Sequence, residues 1–325
     1  MRCVWTTVCA LLILGVVLGL PIGYCQEYDI SEGVILAAPI ASAEKVAAPD
    51  LSRLSAKAVS GFEDRLIELI NDTRQTHAEL NGEVLPPLKR QELLDQAAEA
   101  HSSRMATYGF VGHCDPDTAT LPADRLADVA YKHETAGESV VVGYPDAQST
   151  LDALLASPSN LTLLLSRDLR EIGVGFVLDQ SDTSTVRRDL DEDCTVDITG
   201  SGPYYYYATV LYGMRHEVYP LVIERDNLST IDNTVDLYIY GEGWAQEMML
   251  KNEDGAWTSW MPFASELTWA LSSGHGEKEV SVRIRNVIFT ELAASDRIIS
   301  EEGLFIIFED GVESGSFSAW TEVVN

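Results

Sequence analysis

His113 and Glu138 are the two side chains whose types and surroundings could carry chemistry. His113 sits in Gly112-His113-Cys114-Asp115-Pro116-Asp117, and Glu138 in Ala136-Gly137-Glu138-Ser139. A neutral imidazole and a carboxylate can hold a divalent ion such as zinc, or hold each other as a hydrogen-bonded acid–base pair. A plainer role is available to both: a histidine just past a helix end commonly satisfies the last carbonyls of that helix. His101, on the apolar side of the preceding helix, could reach the same region, although packing is the commoner fate of such a histidine. Other routes to catalysis fail on the residues. No Gly-x-Ser-x-Gly elbow and no His-Glu-x-x-His occurs. Cys114 adjoins His113 and Ser139 adjoins Glu138, and adjacent side chains rarely face one reacting atom.

The elements that must position these groups follow from periodicity. Phe62, Leu66, Ile67, Leu69 and Ile70 form a helical stripe ending near Arg74. Leu85-Pro86-Pro87-Leu88 is an extended entry to a second helix, with Leu93, Leu94, Ala97, Ala98, His101 and Met105 on one face and Gly109 as its stop. Pro122 to Leu126 predicts a short helical turn. Ser139 to Val142 is a strand or a helix start, and Asp146 to Ala156 a third helix closed by Pro158. Glu171–Leu178 and Tyr204–Tyr212 read as strands, with a polar, loop-like run from Gln180 to Gly202 between them. Helices followed by strands, without a βαβ repeat, argue for an α+β fold.

Five segments in order resemble the CAP superfamily (cysteine-rich secretory proteins, antigen 5, pathogenesis-related 1) in its bacterial form. They are Phe110 three residues before His113, with Pro116 three after; Ala136-Gly137-Glu138; Ser157-Pro158; Glu171-Ile172-Gly173-Val174-Gly175; and the aromatic strand from Tyr206 to Gly213. Asn71 to Arg74 and Leu85 to Leu88 are similar to the family's opening segments. Residues 62 to 213 are covered. The resemblance implies an α-β-α sandwich with a cleft where histidines and acids converge, able in members with a full His/Glu set to bind zinc or another divalent ion. His113 and Glu138 match the first two ligand positions. Asn160 stands where the second histidine is usual, Leu161 where arginine is, and Asp146 is the nearest acid for the last place. Asn is a poor zinc ligand, and two good ligands fall short of the three a catalytic zinc keeps.

Past Gly213 the pattern changes to short β-rich runs: Leu221–Ile223, Val235–Ile239, Glu247–Leu250, Leu267–Ala270 and Val280–Ile284, separated by turn-formers such as Asn252-Glu253-Asp254-Gly255. Alternation with regular turns predicts an all-β sandwich, with Trp244, Trp257, Trp260 and Trp269 as its bulk. The WAQEMMLKN, WMPFA and WALSSGHGEKEVSVRIRN segments resemble bacterial immunoglobulin- or fibronectin-like modules. Trp and Tyr beside acids on such a module could stack on glycans, which makes cell-wall adhesion an alternative function.

Residues 1–25 read as a secretory signal: Arg2, an apolar run from Val8 to Leu20, then Gly23 and Cys25 at −3 and −1, with Gln26 opening the mature chain. An uncleaved anchor is the alternative; Tyr24 is too bulky for a lipidation signal at Cys25. Residues 26–60, rich in Ala, Ser and Pro, read as a linker or loosely docked arm. The expected units are then a CAP-like domain over 61–214 and a β-sandwich over 215–325. From Gln26 onward, 51 acids face 21 bases (all 22 Lys and Arg except Arg2), a net charge of −30. Such a surface repels nucleic acid and anionic lipid. No second apolar stretch approaches transmembrane length. Cys3, Cys9 and Cys25 fall in the signal, leaving Cys114 and Cys194 as an available disulfide pair in an oxidising compartment. The sequence therefore reads as an exported, non-catalytic extracellular module, binding a small or lipidic ligand or a surface partner through a partly degenerate His/Glu cleft. A metal-dependent hydrolase using His113 and Glu138 is the competing reading.

Overall fold

The computed structural model describes residues 29–36, 56–82, 85–183, 185–189 and 193–301. The predicted signal (1–25), most of the arm and the last residues of the chain lie outside the described residues. Within the arm, Asp29–Leu36 forms a strand, β1. Then follow α1 (Ala56–Asn81), β2 (Lys89–Arg90), α2 (Glu92–Tyr108), β3 (Phe110–Val111), α3 (Pro122–Asp128), β4 (His133–Val142), α4 (Ala147–Ala156), α5 (Pro158–Leu164) and β5 (Glu171–Leu178). The run from Gln180 to Gly202, expected to be a loop, contains β6 (Val186–Arg188) and β7 (Ile198–Ser201), which join β3 in a small sheet. β8 spans Tyr206–Arg215.

The main sheet has the order β1-β4-β8-β5-β2, and side-chain parity assigns its two faces. Ile172, Val174, Ala208, Val210, Tyr212 and Val141 join the α1, α4 and α5 residues Leu66, Ile70, Leu151, Leu154, Leu163 and Leu164 in one core. The alternate residues face α2 and α3: Leu211 and Ala136 meet Leu94, Ala97 and Leu126, while Val140, Val142 and Tyr207 meet Met105 and Phe110. The sheet is thus covered by helices on both sides. Gly173 and Gly175 explain the Gly-x-Gly in β5. A Cβ on Gly173 would lie 2.3 Å from the backbone of Leu94, and one on Gly175 2.1 Å from the backbone of Glu99, so α2 can lie directly on the strand only if both are glycine.

Local chemistry sets the helix limits. Gln91 caps α2, its side chain accepting from Leu93 N at 3.0 Å, and Gly109 ends it in the left-handed region at φ 62°. Asp146 is the N-cap of α4, accepting from Ser149 N at 2.8 Å. Pro158 does not merely close that helix; it opens α5 at a first-turn position, where its missing N–H costs nothing.

The C-terminal strands are β9 (Leu221–Ile223), β10 (Ser229–Thr230), β11 (Thr234–Ile239), β12 (Glu247–Asn252), β13 (Met261–Pro262), β14 (Glu266–Ala270), β15 (Gly276–Arg285) and β16 (Glu291–Ser300). They form a five-stranded sheet, β10-β16-β15-β12-β13, and a three-stranded sheet, β14-β11-β9. Inward residues of both sheets, Leu237 and Ile239 with Leu250, Val282 and Ile284 among them, make one core. That core is aliphatic, contrary to the expectation that tryptophans fill it. Trp244 and Trp269 pack at its rim. Trp257 lies beneath Arg283 (4.8 Å to the ring centroid) and Trp260 beneath Arg285 (4.0 Å).

The two units are joined through Leu85–Arg90. Asn71 of α1 donates to Leu88 O (3.0 Å) and Arg225 O (2.7 Å), and Tyr240 donates its hydroxyl to Pro87 O (3.1 Å). Lys89 pairs with Asp226 and, at 2.6 Å, with Asp296, while Asp226 also accepts from Arg90 N at 2.7 Å. Arg74, fully buried, donates to Pro86 O (2.9 Å) and Leu164 O (2.7 Å). This is why the segment is extended: both of its sides are bonded, one to each unit.

Candidate functional site

His113 and Glu138 meet. His113 Nδ1 lies 2.8 Å from Glu138 Oε1, and the two residues are 1% and 0% exposed. The loop after β3 delivers His113, and β4 delivers Glu138 on the face toward α2. That loop is held on every side. Its Gly112 carbonyl lies 2.9 Å from His101 Nε2 on α2, Asp115 pairs with Arg104, and Asp115 N donates to Thr120 O at 3.1 Å. Cys114 is disulfide-bonded to Cys194, their Cα atoms 5.4 Å apart.

Sequence reasoning missed Arg125. From α3 its Nη2 donates to both Glu138 oxygens, at 2.7 and 2.6 Å, and its Nη1 to His113 O (2.9 Å) and Thr120 O (3.2 Å). A signal was available: Pro122, Arg125 and Leu126 stand at i, i+3 and i+4 and are the buried residues of α3, so the arginine occupies a core-facing position. His101 also belongs to the cluster, its Nε2 3.9 Å from Glu138 Oε1. Burial alone would raise the Glu138 carboxyl; the Arg125 charge, with His101 and His113, outweighs it and holds the group ionised, well below the usual carboxylate range. Burial, then the charge of Arg125, pushes His101 down to about 4. Glu138 is therefore a neutralised carboxylate and His101 a neutral imidazole at ordinary pH.

The other two predicted cleft residues lie elsewhere. Asp146 is exposed and spends its carboxylate on the cap of α4. Asn160 is fully buried on α5, donating to Ser157 Oγ at 3.0 Å. Its helix packs on the opposite face of the sheet, where Leu163 sits against Gly137, and Glu138 points the other way. A one-residue step along a strand reverses the face, which spacing in sequence does not reveal.

A resident divalent ion does not fit these residues. Both Glu138 oxygens are taken by Arg125, and among the described residues no group of three or more His, Cys, Asp or Glu is disposed to hold a metal. A second buried carboxylate repeats the arrangement: Glu171, at the start of β5, accepts from Arg215 (2.6 and 2.9 Å) and from the Tyr131 hydroxyl (2.8 Å). Of the two clusters, only the first joins a histidine to the carboxylate.

Residues 67–192 match the family model described as CAP, the cysteine-rich secretory protein family. This stretch is a CAP domain, of the kind found in bacterial proteins. A curated relative, the uncharacterised protein YkwD of Bacillus subtilis (strain 168), is 29% identical over 119 residues, 37% of this chain and 44% of that protein, so the chain spans less than half the relative's length. Among solved structures, an extracellular SCP-domain protein of Bacillus anthracis str. Ames is 21% identical, covering 48% of this chain and 41% of that one, with a TM-score of 0.35. An outer surface protein of Borrelia burgdorferi is 18% identical, covering 46% and 90%, also with a TM-score of 0.35.

Proposed function

We propose that this chain is an exported, non-catalytic module that acts outside the cell, binding a small or lipidic ligand or a surface partner. In this reading residues 1–25 are the signal, residues 61–214 the CAP unit, and residues 215–325 an immunoglobulin-like spacer or adhesion unit fixed to it. One observation carries the non-catalytic part: the His113–Glu138 pair is buried and its carboxylate is bound on both oxygens by Arg125. A general base must come within hydrogen-bond reach of its substrate, and both members of this pair are shut away from solvent. Export accords with the Cys114–Cys194 disulfide, since such bonds persist in oxidising compartments. Glycan stacking on the C-terminal unit is less well supported, because arginines already cover Trp257 and Trp260.

Residues 26–325 should be assayed against chromogenic ester, peptide and glycoside substrates beside His113→Ala, and for binding to fluorescent fatty acid and sterol probes and to sedimented cell walls. Turnover that disappears in His113→Ala overturns the reading. Saturable probe binding, undiminished by that substitution, is the expected result.

A further inference from the structure

A carboxylate with no exposure must be given a counter-charge or a proton. In a metal-dependent domain the counter-charge is a divalent ion. Here it is part of the chain. We propose that Arg125 is the built-in cation of the CAP site, its guanidinium holding the place from which a divalent ion would bridge Glu138 and His113, so that this domain is metal-independent by construction.

Three observations carry this. Arg125 Nη2 stands 2.6 and 2.7 Å from the two Glu138 oxygens, in the place that an ion chelated by both at about 2 Å would occupy. The guanidinium is also fixed at its other nitrogen, by His113 O at 2.9 Å and Thr120 O at 3.2 Å, so it is not a mobile visitor. Arginine suits the task because its planar fork binds a carboxylate at two points and its charge survives burial. Finally, the guanidinium stands where the histidine and the carboxylate converge. The Glu138 oxygen that receives the guanidinium at 2.7 Å also meets His113 Nδ1 at 2.8 Å, so the cation and the imidazole share one carboxylate atom. This inference goes beyond the non-catalytic reading and does not depend on it.

The test compares the wild-type chain with Arg125→Ala, Arg125→Lys and the double variant R125A/E138Q. Each is melted in chelator and in zinc and titrated with zinc by calorimetry. The wild type is expected to melt at one temperature in both conditions and to give no binding heat. Arg125→Ala should melt about 10 °C lower in chelator. Zinc should restore about half of that or more, and the restoration should vanish in R125A/E138Q. Arg125→Lys, which keeps a cation, should ignore zinc. Zinc-dependent melting of the wild type overturns the proposal. So does folded Arg125→Ala that is indifferent to zinc, or Arg125→Lys that responds as Arg125→Ala does. If Arg125→Ala folds only when zinc is supplied, the proposal stands. If it folds in neither condition, the guanidinium does something an ion cannot replace, and the proposal fails.

Discussion

Lys89→Met should separate the two units, and the size of the effect follows from what the lysine neutralises. Its ammonium lies between Asp226 and Asp296, whose side chains are 7% and 4% exposed. Removing one partner of a buried ion pair costs about 3–5 kcal/mol, because the remaining charge keeps its desolvation penalty. Two carboxylates remain here, so the upper part of that range applies at pH 8. Burial raises Asp296 to about 6 even with Lys89 opposing it, and without the lysine it rises further. A carboxyl raised in the folded state contributes stability below its unfolded value near 3.8, and that contribution is lost as pH climbs through the folded value. The variant should therefore lose about 1 kcal/mol less, or better, at pH 5 than at pH 8, where Asp296 can no longer take a proton. Urea unfolding at both pH values measures this. All tryptophans among the described residues lie in the C-terminal unit. Fluorescence therefore follows that unit, while circular dichroism follows the helices of the CAP domain. The two probes should coincide in the wild type and diverge in Lys89→Met. A loss under about 1 kcal/mol at both pH values, or a larger one at pH 5, would mean the cluster behaves as a solvated surface pair and would refute the argument.

Replacing Cys114 and Cys194 by serine opens a loop of 80 residues and should lower the unfolding free energy by about 3–4 kcal/mol, read by the same urea titration. Gly175→Ala places a methyl 2.1 Å from the α2 backbone, so α2 must leave the sheet. A loss of several kcal/mol is expected, against about 1–2 for Gly82→Ala, whose added Cβ meets nothing within 4 Å and whose cost is the strain of a φ of 70° alone. His101 is held neutral with its pKa lowered from 6.5 to about 4, so the unfolded chain gains a proton first as pH falls. His101 by itself should remove about 3 kcal/mol of stability between pH 6.5 and 4, at about 1.4 kcal/mol for each pH unit. The wild type should lose that much more than His101→Gln over the same range, whatever the raised carboxyls add to both.

Much of this molecule is written locally, and so could be read without coordinates. The stripe from Phe62 to Ile70, the Gly109 stop and the alternation in β11 and β15 are set by neighbours a few residues away, as are the elements they define. The nearness of His113 and Glu138 could be anticipated only from the order of five motifs, because nothing in a separation of 25 residues specifies a hydrogen bond. Arg125 was hidden for a different reason. Its meaning depends on which side of a seven-residue helix is buried and on a strand residue 13 positions further along. Asn160 and Asp146 failed as cleft residues through geometry that spacing does not encode: one lies behind the sheet, the other at an exposed helix start. Composition likewise placed tryptophan in a core that β-branched and aliphatic residues fill. Sequence alone determined most of the elements, the excess of acids and which two cysteines were available to pair, since these depend on residue type and local period. Tertiary structure decided that the buried carboxylate is answered by an arginine rather than left open, because only packing brings α3, β4 and the loop after β3 to one point.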